Sequence, residues 1–109
     1  MSPEGTRLGG DRIHGIIAGE INITAPNALA ADTEANVDVA TAGTELDGIA
    51  VGDHVYLSAP DTLEAQLVVK SVIVQAANTL RVRYRNTGAV AAPATSPREY
   101  AFLWFDKNP

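Results

Sequence analysis

Residues 51–93 decide the fold, and they read VGDHVYLSAPDTLEAQLVVKSVIVQAANTLRVRYRNTGAVAAP. This stretch contains three runs that are typical of β-strands, at residues 54–58, 67–75 and 80–85. Turn-forming residues lie before, between and after these runs, at Gly52-Asp53, Pro60, Ala76-Ala77-Asn78 and Asn86-Thr87-Gly88. Strand and turn therefore follow one another throughout this part of the chain, which predicts an all-β domain.

The same alternation continues on both sides of this stretch. On the N-terminal side Ile21 and Ile23 alternate with polar residues, and Val37 and Val39 do so in a second run. A last run covers residues 99–105. About six short strands separated by regular turns are typical of a sandwich or a barrel. The sequence therefore predicts a small antiparallel β-sandwich or jelly-roll-like barrel of about six to eight strands.

Length, composition and charge limit the class of protein. The chain has 109 residues and no cysteine, so we expect one domain with a modest core and no disulfide. Its formal net charge of −5 argues against a nucleic-acid partner, which normally requires a basic surface. No apolar window approaches a membrane span, and the first residues lack the order of a signal peptide. We expect the chain to associate with copies of itself, because a small core gains from burying more surface.

The first twelve residues differ from the rest of the chain. Their glycines and proline lie among polar residues, a composition that does not offset the entropy cost of ordering. The sequence therefore predicts a flexible N-terminal arm at residues 1–12 and a single β-sandwich domain at residues 13–109. A frayed terminus and an arm that becomes ordered on a partner both fit this composition. In the second case, the expected anchors on the partner are Arg7, Leu8 and Arg12.

Two predicted strands are apolar on both faces, at residues 67–74 and 100–105. In a two-layer sandwich one face of each strand meets water, so simple alternation is the normal pattern. One explanation is a central strand whose outer face is partly covered, and another is a strand whose outer face packs against a second subunit. For the C-terminal strand we expect an oligomer interface formed by Tyr100, Phe102, Leu103, Trp104 and Phe105.

The sequence predicts no catalytic, cofactor or metal site. The two histidines, His14 and His54, lie in no metal-ligand pattern, and no serine has the setting of a nucleophile elbow. Glu34 and Asp38 would share one strand face, which we interpret as a solvated acidic face. We therefore expect a non-enzymatic protein that needs no cofactor.

Three arginines form the most distinctive pattern of the chain. The period of two in a strand places Arg81, Arg83 and Arg85 in one row on the same face. Like charges in a row repel one another and require acidic partners. Those partners lie either on an adjacent strand or on a neighbouring protein, and the row indicates contact rather than catalysis.

The order of these elements resembles a known class of domains. The resemblance covers residues 20–105 and rests on the turn Ala30-Ala31-Asp32-Thr33-Glu34, the Val37-x-Val39 strand, Val51-Gly52-Asp53 with a β-run closing on Pro60, Leu63-Glu64-Ala65 with Leu67, the hairpin Ala76-Ala77-Asn78-Thr79, the strand ending in Asn86, residues 91–93 and the aromatic last strand. It is similar to the small β-rich domains of tailed-phage virion proteins. Such domains occur as capsid decoration (cement) proteins and as C-terminal pieces of fibre or spike proteins.

The resemblance implies a structural role on a virion. It implies a homotrimer on the outer surface of a phage capsid, bound to the major capsid protein and assembled in the host cytoplasm. A chain that begins at Met1 and is one domain long favours a separate decoration protein over the tip of a long fibre. The alternative is a receptor- or glycan-binding tip domain of a fibre or spike. The only tryptophan, Trp104, lies within a strand rather than a loop, which weakens that alternative.

Overall fold

The computed structural model describes residues 6–8, 11–13 and 15–106. These residues form eight strands: β1 Thr6–Leu8, β2 Asp11–Ile13, β3 Gly15–Ile23, β4 Glu34–Ala40, β5 His54–Ser58, β6 Leu67–Ala76, β7 Thr79–Asn86 and β8 Arg98–Asp106. Within these ranges the chain contains no helix that could span a membrane.

The strands form two three-stranded sheets and a separate pair. The first sheet has the order β3-β8-β5, the second has the order β4-β7-β6, and β1 pairs with β2. All of these pairings are antiparallel. The two three-stranded sheets bury apolar side chains between them. The protein is therefore a small all-β sandwich, as the sequence predicted.

The core lies between the central strands of the two sheets. Each central strand contributes every second side chain, namely Tyr100, Phe102 and Trp104 from β8 and Leu80, Val82 and Tyr84 from β7. Leu46 and Ile49, from the connection between β4 and β5, are also fully buried. Because successive side chains of a strand point to opposite faces, the residues between these core positions face outwards.

Strand β6 is an edge strand, and the central strand of its sheet is β7. Of the two explanations given for residues 67–74, the central strand is therefore wrong. A β-bulge at Lys70 explains why the run is apolar on both faces. Before the bulge Leu67 and Val69 face the core, whereas after it Val72 and Val74 do, so the inward positions change phase along the strand.

One buried asparagine joins two loops to the end of β7. The Asn86 side chain is fully buried, and its Nδ2 donates to the carbonyl oxygens of Leu29, Ala30 and Val90 at 2.9, 3.3 and 2.9 Å. Its Oδ1 accepts a hydrogen bond of 2.8 Å from the Gly88 amide. Sequence reasoning interpreted Asn86 only as a turn residue. Its position shows that it holds the irregular segments at this end of the sandwich in place.

The predicted arm contains strand β1 and the first two residues of β2. Their backbones pair in antiparallel register, with Arg7 opposite Arg12 and Leu8 opposite Asp11. The side chains of the predicted anchors Arg7, Leu8 and Arg12 lie outside what the structure describes, and so do residues 1–5 and 9–10. The division into an arm and a domain stays a prediction.

Candidate interaction surfaces

About half of the outer face of the first sheet is apolar, and Glu20, Asn22 and Glu99 lie on the other half. Cross-strand register places Ala18, Leu103 and Tyr56 side by side on this face. The next row contains Ile16, Phe105 and His54, and the Tyr56 and Phe105 rings meet edge to face with centroids 5.5 Å apart. Ile16, Tyr56 and Leu103 are all substantially exposed. We call this surface the outer apolar face, and its members are Ile16, Ala18, Tyr56, Ala101, Leu103 and Phe105.

The structure corrects three members of the predicted oligomer interface. Tyr100, Phe102 and Trp104 are at most 6% exposed and fill the core of the protomer, so they have no surface to offer a partner. Their shared strand face was predicted correctly, but that face is turned inwards because the second sheet covers it. Leu103 and Phe105 lie on the opposite face, at the surface. They are the members of the predicted set that a partner could reach.

The Arg81–Arg83–Arg85 row meets its partners on the adjacent strand. In the β4–β7 register Arg81 lies opposite Asp38, Arg83 opposite Asn36 and Arg85 opposite Glu34. The Arg81 guanidinium donates twice to Asp38, at 2.8 and 3.0 Å. Of the two explanations for the row, the structure shows the one with acidic partners within the chain.

We call this surface the charged face, and Glu34 lies at its centre. Its ion-paired members are Asp32, Glu34, Asp38, Lys70, Arg81, Arg83 and Arg85. Glu34 accepts hydrogen bonds from Arg83 at 3.5 Å and from Arg85 at 3.2 Å, and it also pairs with Lys70 of β6. Arg85 pairs with Asp32 as well. The solvated acidic face predicted for Glu34 and Asp38 is therefore a set of cross-strand ion pairs. The side chains remain partly exposed, so the pairs set the register of β4 on β7 more than they add stability.

These pairs change the acidity of the two carboxyl groups. The hydrogen bond from Lys70 holds the pKa of Glu34 below its usual value, and the hydrogen bond from Arg81 does the same for the pKa of Asp38. A carboxyl whose pKa is lower in the folded protein stabilises the fold above its unfolded pKa. This contribution is lost as the pH falls through the lowered pKa, so the charged face weakens only in acid.

Replacing Arg83 by alanine is expected to lower the free energy of unfolding by less than about 1 kcal/mol. The reason is that the Arg83 side chain is 45% exposed and its closest partner, Asn36, is neutral. Thermal unfolding followed by circular dichroism measures the effect. Arg98→Ala is the contrasting variant, because Arg98 donates at 3.1 and 2.9 Å to the buried Glu64. If Arg83→Ala lowered the free energy of unfolding as much as Arg98→Ala does, the arginine row would be buried by another protein.

Buried polar groups connect the two sheets, and sequence reasoning did not find them. The hydroxyls of Tyr84 in β7 and Tyr100 in β8 lie 2.6 Å apart in the core, and burial raises the pKa of both. Burial also acts to raise the pKa of Glu64, but hydrogen bonds from Arg98 and the Ser96 amide outweigh it and hold that pKa below its ordinary value. These groups therefore keep a fixed charge state at neutral pH.

One cleft lies between the edges of β5 and β6. It has a volume of about 510 Å³, and its lining includes His54, Tyr56, Lys70 and Ser71. No group of three or more histidine, cysteine, aspartate or glutamate side chains that could hold a metal ion occurs in the described part of the chain. Comparison with protein-family models, curated proteins and solved structures finds no match to this chain.

Proposed function

We propose that this chain is a non-enzymatic structural protein of a virion that decorates and stabilises a phage capsid as a homotrimer. The proposal combines the resemblance of residues 20–105 to phage virion domains with one observation, the outer apolar face. Ile16, Tyr56 and Leu103 lie in two neighbouring rows of one sheet face and are exposed together, which makes this face a candidate surface for another protein. The major capsid protein and a second copy of this chain are the proposed partners.

The size of the outer apolar face supports assembly on a larger body. The outer apolar face covers about five positions of β3 and β8, which extend about 17 Å, and three strands span about 14 Å, which gives an area of about 240 Å². One partner in a stable two-protein interface contributes about 800 Å². Copies that meet only through this face would associate weakly in solution. A shell that contacts several copies at once would hold them through the combined contacts.

The opposite side of the sandwich suits a load-bearing role. The charged face joins β4, β7 and β6 through ion pairs, and buried polar groups fix the loops at one end. The cross-strand ion pairs and the Asn86 hydrogen bonds restrain these strands and loops relative to one another. Binding therefore costs little conformational entropy, which favours rigid bridging between capsid subunits.

The test is direct binding to emptied capsids of the parent phage. The purified protein should bind in a fixed ratio to the capsid subunits, in multiples of three at symmetry axes, and should raise the temperature at which the shells disrupt. Absence of stoichiometric binding would contradict the proposal.

Replacing Leu103 by glutamate is expected to reduce capsid binding and association at high protein concentration by at least about tenfold, because a charge would be buried in the contact. The protomer should remain folded, since Leu103 is 44% exposed and faces away from the core. The matched control is Val68→Glu, because Val68 is 43% exposed on the outer side of the second sheet. Binding measured by co-sedimentation should be unchanged in the control. Equal losses in both variants would exclude the outer apolar face as the contact.

The structure weakens the glycan-binding alternative. Glycan sites commonly use an exposed aromatic ring, but Trp104 is buried and its indole Nε1 donates to Asp53 at 3.1 Å. Tyr56 is the exposed ring beside the β5–β6 cleft. A glycan array in which wild type gives no signal above background would remove this alternative, whereas a signal that is lost in Tyr56→Ala would support it.

A further inference from the structure

The sandwich has four sheet edges, and three of them carry features that prevent strand pairing. Edge strands with unpaired backbone groups are blunted by charge, bulges, shortness or cover. Strand β4 carries Glu34 and Asp38, and β6 has Lys70 at a bulge. Strand β5 has only five residues and faces β6 across the cleft. These three edges are poor templates for another strand.

The first half of β3 has no such protection. Its sequence, Gly15-Ile-Ile-Ala-Gly19, contains neither charge nor proline, and no described strand pairs with its outer edge. Ile16 is 51% exposed and Ile17 is 39% exposed, although they point to opposite faces of the sheet. Apolar exposure on both faces of an unpaired edge is the expected pattern of a strand that lies inside a larger sheet.

The backbone direction of this edge follows from one hydrogen bond. The Glu20 amide donates to Oε1 of Glu45 at 3.3 Å, so the Glu20 N–H points away from β8. In an antiparallel ladder the N–H and C=O of one residue point to the same side, and the side alternates along the strand. Ile16 and Ala18 therefore also direct their N–H and C=O groups to the free edge. Glu45 blocks the edge at Glu20, which leaves these two residues available.

We infer that residues 15–19 of β3 pair with the same segment of a second copy of this chain, antiparallel and about a twofold axis. Opposing Ile16 and Ala18 of the two copies gives four backbone hydrogen bonds. Ile17 of one copy then lies opposite Ile17 of the other, which covers its exposed surface. On the outer face the large Ile16 lies beside the small Ala18 of the second copy. The product is one continuous six-stranded sheet with a joined outer apolar face.

We assign a second copy of this chain as the partner of this edge because residues 15–19 are complementary to themselves in this register. Among the four edges of the sandwich that the structure describes, a second copy offers only that of its own β3, since the other three are protected. The contact is isologous and closes with two copies, whereas a ring of three requires a different, heterologous contact. The inference is therefore independent of the proposed function. If both contacts form, the assembly contains six copies.

The test is Ala18→Pro, with Asn22→Pro as its matched control. Proline at Ala18 removes an N–H that points to the free edge, so the hydrogen bonds between β3 and β8 are kept. Because both copies carry the change, two of the four hydrogen bonds between the copies are lost. The dissociation constant should rise at least about tenfold, and the mass by sedimentation should halve, from six copies to three or from two to one. Asn22 has the same backbone direction beyond the block at Glu20, so Asn22→Pro should keep the wild-type mass.

A second measurement keeps the test decisive if the proline variant folds poorly. The Ile16 amide should exchange slowly with deuterium in wild type and Asn22→Pro, and faster on dilution. Ile17→Lys places two ammonium groups opposite each other and should also halve the mass. A wild-type mass of one copy would overturn the inference. A wild-type mass of three copies that Ile17→Lys does not change would also overturn it. Fast Ile16 exchange at high micromolar concentration would overturn it as well, as would pairing with a different protein in place of a second copy.

Discussion

Replacing Trp104 by alanine is expected to destabilise the folded protomer by about 3–5 kcal/mol, out of a total of about 5–15 kcal/mol for a domain of this kind. The ring is 6% exposed at the centre of the core, between the two sheets. Its removal leaves a cavity that the surrounding strands cannot fill. It also removes the N–H that Trp104 donates to the buried Asp53, whose Oδ2 also accepts from the Ala50 amide at 3.0 Å. The variant should be largely unfolded at temperatures where wild type is folded.

Urea unfolding followed by far-ultraviolet circular dichroism measures this effect, because Trp104 is the only tryptophan and its fluorescence is lost with it. Leu103→Ala is the matched control, since it truncates the adjacent side chain of the same strand on the outer face. The control should lose much less stability. If the two variants lost equal stability, the buried face of β8 would be assigned incorrectly. The effect is expected at every protein concentration, which separates a core residue from an interface residue.

Replacing Asn86 by alanine is expected to lower the free energy of unfolding by about 3 kcal/mol or more. Three carbonyl oxygens and the Gly88 amide would lose the partner that Asn86 supplies at a fully buried position. Each buried polar group without a partner costs about 1–3 kcal/mol, and water that enters recovers part of this. The loops that contain Leu29 and Val90 should also become more susceptible to proteolysis, because Asn86 holds both.

Asn86→Asp separates the hydrogen-bond effect from the loss of volume. The aspartate has nearly the same shape, but when ionised it places a carboxylate against three carbonyl oxygens. Its pKa in the folded state is therefore raised, so stability should be lowest at neutral pH and should increase as the pH falls through that pKa. Wild type should not gain stability in this range. A variant as stable as wild type at neutral pH would show that these hydrogen bonds contribute little.

Local chemistry predicted most of the strands. The run at residues 54–58 coincides with β5 His54–Ser58, and the runs at 67–75 and 80–85 lie within one residue of β6 Leu67–Ala76 and β7 Thr79–Asn86. The turns that end them depend on neighbouring residues only, so the sequence identifies them. Residues 15–19 were missed as part of β3, because Gly-Ile-Ile-Ala-Gly has no period of two. Pairing with β8 along its whole length makes this segment a strand.

Long-range pairing decided the candidate surfaces. Period two was sufficient to place the Arg81–Arg83–Arg85 row on one face, but its partner Asp38 lies 43 residues away from Arg81 in the chain. No local pattern indicates which distant strand pairs with which. The same limit applies to Tyr100, Phe102 and Trp104, whose common face was predicted whereas its inward direction was not.

The sequence by itself determined the all-β class, the position of the turns and the alternation of faces along each strand, because these depend on backbone sterics and on residues a few positions apart. Tertiary structure alone decided which face is buried, since that depends on which sheet packs against it. It also decided which strands are edges and which charges find partners. The outer apolar face and the unprotected edge of β3 are therefore features of the tertiary structure. A sheet face or strand edge can be recognised as uncovered only when the pairing of all the other strands is known.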